Sequence, residues 1–227
     1  NINLSADNSK AVRAISKYSM FIGISAILTL LLMNNLFKER DNNMWQLTYM
    51  SKNGRAYLGL VRIADIFIIS LIQHCLLYIT VVCVSFILFG GLGDLYNPIQ
   101  NISEFGQCTL VINKAEYLIA DFLLTYLSVV VATSIIYMLM NVFRNRKNVF
   151  IGTGVFVIIE YFIYINTESQ SIYRLLKYIN ICNLFRINTI YMEYINVNVF
   201  SHVVSLRNVL ITAVIILSVM MFMKSVL

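Results

Sequence analysis

A glutamate sits in the middle of an otherwise apolar run, VFIGTGVFVIIEYFIYIN, and this is the position in the chain that most demands explanation. Glu160 is a carboxyl group at membrane depth, where charge is costly and therefore a mark of function. Two roles suit it: contact with a cationic substrate in a central cavity, or a structural hydrogen bond to a neighbouring helix, with His74 as a partner. His74 is the only residue able to carry charge in a second long apolar run, 66–93. Asp65 follows Arg62 by three residues, a spacing that predicts a local ion pair on one helix face. Asp121 stands where a third apolar run begins, a position where a carboxylate serves a helix amino terminus.

Other chemistries find little here. His74 and His202 are the only histidines and fall in different compartments, and neither Cys-x-x-Cys nor His-Glu-x-x-His occurs, so no metal site is expected. A Gly-rich phosphate loop of the form G-x-x-x-x-G-K-S/T is missing, as is a serine nucleophile elbow. The chain therefore reads as a non-enzyme. Cys75 and Cys83, eight residues apart in one apolar run, read as small packing residues. Cys108 and Cys182 both fall in segments expected outside the cell. They are either bonded, tying two outer loops together, or two separate thiols.

The elements that must hold these residues follow from composition. Of 227 residues, 59% are hydrophobic and 12% charged, with a mean hydropathy of +0.76. A soluble domain carries about 45–50% and about 25%, and a chain this short buries only about 70–75% of its surface. The predicted fold is an all-α integral membrane protein. Five spans are long enough, at about 18–37, 64–93, 120–143, 148–167 and 206–226. They leave residues 1–17 as a tail before a transmembrane domain, 18–227. At about 1.5 Å per residue the second span exceeds the bilayer core and must tilt, kink or project.

The formal charge of +6 is topology information in such a chain, not a nucleic-acid footprint. Lys38, Arg40, Lys52 and Arg55 crowd the loop 38–58, and Arg144, Arg146 and Lys147 crowd the turn before the fourth span. Their density makes both cytoplasmic. The sparser segments 94–119 and 168–205 are then extracellular, as is the amino-terminal tail, which implies an upstream span.

The segment NNLFKERDNNMWQLTYMSKNGRAYLGLVRI lies between two spans. An acidic residue, Glu39, ends the first helix; the amphipathic run Met44–Met50 follows, then Gly54-Arg55, then Arg62 at the start of the next helix. Met44, Trp45, Leu47 and Met50 suit an interface or a groove on another protein. This pattern resembles the signature region of type-2 ABC-exporter permeases, in which Arg62 stands where a lysine is more usual. The stretch 175–198 resembles their apolar, aromatic outer segment before the last span. The resemblance covers about 30 residues in specific pattern and most of the chain in architecture.

The resemblance implies spans two to six of a six-span permease in a bacterial plasma membrane. The run Met44–Met50 would be a cytoplasmic coupling helix docked on separate ATPase subunits, which supply ATP and Mg, and the chain itself would carry no cofactor. A second permease, identical or not, would complete the path for a peptide, antibiotic or lipid-like substrate. Two other classes stay open. One is a membrane sensor or scaffold that binds a cytoplasmic partner. The other is a secondary transporter with Glu160 as proton carrier, though no inverted repeat supports it.

Overall fold

The computed structural model describes residues 10–19, 25, 54–106, 108, 111–143, 145–166, 180, 196–199, 202–205 and short stretches between 208 and 220. Most of the expected first span, residues 39–50 with Glu39, Met44, Trp45, Leu47 and Met50, and Cys182 lie outside the described residues.

The chain is mostly helical. Helix α1 covers Lys10–Tyr18, α2 Gly54–Phe89, α3 Lys114–Val142 and α4 Arg146–Asn166. Two of these, α2 from Leu60 and α3, are long and apolar enough to cross a membrane. Their packing argues for lipid as the surrounding solvent. Only 22% of the most apolar window of α2 is buried, against 56% for α3. The face of α2 that turns inward carries Ile66, Ser70, His74 and Tyr78, four residues apart, while Ile72, Leu76, Ile79 and Ile87 are exposed. A helix with polar residues inside and aliphatic residues outside inverts the pattern of a water-soluble surface helix.

Helices α2 and α3 run antiparallel. Tyr78 and His74 meet the Leu118–Thr125 stretch of α3, whereas Ile66 packs with Ile136, Tyr137 and Met140 of α3 and Val149 of α4. The turn into α4 is tight because Asn145 caps it, its side chain accepting from the Lys147 amide at 3.2 Å. Gly152 permits the close approach, since a Cβ there would come within 3.2 Å of the Phe143 ring.

At the far end α2 stops at Phe89, whose preceding turn is closed by Gly90 and Gly91 amides both donating to the Phe86 carbonyl at 3.1 Å. Gly90, Gly91 and Gly93 have φ of 78°, 105° and 70°, a left-handed run that side chains resist. Two single 3-10 turns follow, Ile99–Asn101 and Ser103–Phe105. Their Ile99, Ile102 and Phe105 form a small core with Val12 of α1, Cys108 and Tyr117.

Within the tail 1–17, residues from Lys10 form amphipathic α1, with Val12 and Ile15 buried and Lys10, Arg13 and Lys17 exposed. Three expectations need correction. Gly54-Arg55 is no turn within a loop ending at 58, because α2 begins there, ten residues before the apolar run. The third helix likewise begins at Lys114, where Glu116 accepts from the Asn113 amide at 3.0 Å, so Glu116 and not Asp121 serves its amino terminus. The fold is also not wholly α. Asn196–Val199 (β1) pairs antiparallel with His202–Ser205 (β2), Val199 opposite His202. Residues 208–209, 211–213, 215–216 and 219–220 are helical within the last expected span.

Candidate functional site

The polar side chains of the spanning pair gather in one layer between α2 and α3. They meet because both helices place polar residues at four-residue intervals: Ser70, His74 and Tyr78 on one, Tyr117, Asp121 and Thr125 on the other, all buried. His74 is fully buried. Its Nε2 donates to the Phe122 carbonyl at 3.1 Å and lies 3.4 Å from Thr125 Oγ1. Phe122, Tyr126 and Tyr78 surround the imidazole, with ring centroids 4.9, 5.4 and 6.1 Å away. Tyr78 donates its hydroxyl proton to the Leu118 carbonyl at 2.9 Å.

Asp121 is fully buried in the same layer, and neither carboxylate oxygen has a hydrogen-bond partner. The Tyr78 hydroxyl lies beside it but commits its single proton to the Leu118 carbonyl, which leaves the carboxylate without a donor. His74 Nδ1 is likewise buried without a partner. Asp121 is thus the functional candidate that apolar-run counting misplaced. Its register with Tyr117 and Thr125, at intervals of four, was the available signal.

The other expected residues are spread out. Glu160 lies on α4, partly exposed, and its backbone carbonyl accepts from Asn180 Nδ2 at 2.7 Å. The structure does not join it to His74, whose ring is engaged by α3. Asp65 is exposed on α2, three residues after half-buried Arg62. Arg13 of α1 does pair with Glu104 of the 90–113 segment. Cys75 and Cys83 are free thiols on α2. Cys108 is buried in the small core with Ile99, Ile102 and Phe105, and the bond expected with Cys182 falls outside the described residues. Gly54 and Arg55 occupy the first turn of α2, at the end of the helix pair that also holds the Asn145–Lys147 turn. Among the described residues, no three His, Cys, Asp or Glu side chains cluster to hold a metal.

No family model, curated protein or solved structure matches the chain. The membrane class therefore rests on the two apolar helices and their inverted faces.

Proposed function

We propose that the chain is the membrane-spanning permease subunit of an ATP-binding cassette exporter, multi-pass in a bacterial plasma membrane. It would pair with a second permease and be driven by separate ATPase subunits carrying ATP and Mg. The observation that most supports this reading is the junction at residue 54. The amphipathic run Met44–Met50, with its signature-like flanks, is followed within a few residues by a single 36-residue helix. Its amino-terminal turns lie at the cationic end of the α2–α3–α4 bundle. A coupling element needs such a rigid follower, because a bias imposed by ATP binding acts only through an element with two discrete placements. The packing of α1 on the outer segment 90–113, at the opposite end, fits an extracellular cap. The cargo expected by analogy is a peptide, an antibiotic or a lipid-like molecule.

The test is co-purification from the native membrane. The wild-type chain is expected to bring an ATPase with it. Met44→Glu with Trp45→Glu is expected to lose that ATPase while keeping the chain in the membrane. Undiminished ATPase capture and transport by the double variant would reject the docking role.

A further inference from the structure

The layer between α2 and α3 has more acceptors than donors. Its hydroxyls are already committed to backbone carbonyls: Ser70 to Phe67, Thr125 to Asp121 at 2.6 Å, Tyr126 to Phe67 and Ser128 to Leu124, with Tyr78 given to Leu118. His74 Nε2 is given to Phe122, which leaves Nδ1 as a bare lone pair. Against these stand His74 Nδ1 and both oxygens of Asp121, all buried and all without a donor. His74 and Tyr78 stand one turn apart on α2, facing Phe122 and Leu118 of α3, and Asp121 lies between those two residues in the sequence, so the three vacant acceptors belong to the same stretch of the helix pair.

A carboxylate in such surroundings costs several kcal/mol unless something positive neutralises it. Among the described residues, the protein's own cations do not. Lys10, Arg13 and Lys17 are exposed on α1, which turns Ile15 and Ser16 toward this layer, Ile15 in the cluster of Tyr78 and Ser16 bonded to Tyr117. Lys114, two turns before Asp121 on α3, makes no ion pair with it. Helix α4 reaches the neighbouring cluster through Phe156, with Glu160 one turn further along. Among the described residues, the ionisable groups facing the layer are therefore His74, Tyr78 and Cys75 from α2, Tyr117, Asp121 and Tyr126 from α3, and Glu160 at the edge from α4.

We propose that Asp121, with Tyr78 beside it, is a monovalent-cation site within the helix pair, taking a proton or an alkali ion from solution. With a proton, the carboxylate becomes the neutral acid, which loses its charge and gains a hydrogen-bond donor inside the layer. With an alkali ion, the carboxylate oxygens and neighbouring hydroxyl and carbonyl oxygens are hard donors of the kind such ions take. Either occupant balances the surplus of acceptors, and loading or unloading it changes the charge between two helices packed in lipid. This site is independent of the exporter reading, since it rests on the α2–α3 contact alone.

The experiment uses the full chain in lipid nanodiscs and infrared difference spectroscopy. In the first arm, pH is stepped down in sodium-free choline buffer; in the second, sodium chloride replaces choline chloride at fixed pH. A carboxylic-acid carbonyl band that grows in the first arm assigns a proton. A carboxylate band perturbed by sodium in the second assigns an alkali ion. In either case the band is expected to be lost in Asp121→Asn, retained in Glu160→Gln, and shifted in frequency in Tyr78→Phe, which keeps the carboxyl group and serves if Asp121→Asn does not fold. Absence of any band sensitive to these Asp121 and Tyr78 changes in both arms overturns the proposal, as does a band lost only in Glu160→Gln.

Discussion

Tyr117 of α3 donates its hydroxyl proton to Ser16 Oγ of α1 at 3.0 Å, and both side chains are buried. The bond joins residues 101 positions apart and fastens the amino-terminal helix to the spanning pair. Removing both partners is expected to cost less than removing one, because a lone buried polar group keeps its desolvation penalty. A double-mutant cycle on Tyr117→Phe and Ser16→Ala should give a coupling of about 0.5–1.5 kcal/mol. Hydrogen exchange of the α1 amides should rise in either single variant. Arg13→Ala, which breaks an exposed ion pair, should change stability by about 0.2–1 kcal/mol at most.

His74→Phe and His74→Ala should separate hydrogen bonding from packing. The first removes a single interhelical bond inside the bilayer, worth about 0.6 kcal/mol on average. The second also opens a cavity among Phe122, Tyr126 and Tyr78, which raises the loss to about 2–4 kcal/mol. Denaturant titration in mixed micelles reads both values. Equal losses for the two variants would mean that the aromatic cage contributes nothing.

Gly152 and Gly154 look alike in the sequence, two residues apart in GTG, yet should respond in opposite ways. A Cβ at Gly152 meets Phe143 Cε2 at 3.2 Å, so Gly152→Leu overpacks the α3–α4 turn and costs about 1–3 kcal/mol. Nothing lies within 4 Å of a Cβ at Gly154, so Gly154→Ala gains helix propensity of about 0.5–1 kcal/mol. Thermal unfolding in detergent should order the three proteins accordingly.

The exposed aliphatic face of α2 provides a test of the surrounding solvent. Ile72→Arg or Leu76→Arg should oppose insertion by about 2.5–3.5 kcal/mol if this helix crosses a bilayer at that depth. In water the same exposed positions would accept arginine at almost no cost. A glycosylation-reporter insertion assay on α2 distinguishes the two outcomes.

Apolar run length located the cores of α2 and α3 but not their beginnings. Gly54–Ile63 and Lys114–Ala120 are helical although they carry Arg55, Arg62, Lys114 and Glu116, residues that a count of apolar positions treats as loop. The start of α3 is set by Asn113 and Glu116, a capping pair legible in N-K-A-E had it been sought. That shift of six residues carried Asp121 from a supposed helix end into the buried layer. The strand pair was also legible, since NVNV and HVVS are apolar–polar segments separated by only two residues, but the aromatic content of the surrounding segment hid the strand pattern. What no spacing rule reveals is that the acceptors of His74 and Asp121 lack donors. That depends on where five hydroxyls elsewhere in the layer send their protons.

Helix α2 runs from Gly54 to Phe89 without a proline, the chain's only one being Pro98. A helix closed by hydrogen bonds at every turn resists torsion about its own axis, so it behaves as a drive shaft. Tyr78, gripped by Leu118 near one end, and Tyr57 near the other are about 32 Å apart along that shaft. A turn of the helix at the level of the buried layer would therefore arrive, with the same angle, at the cationic end.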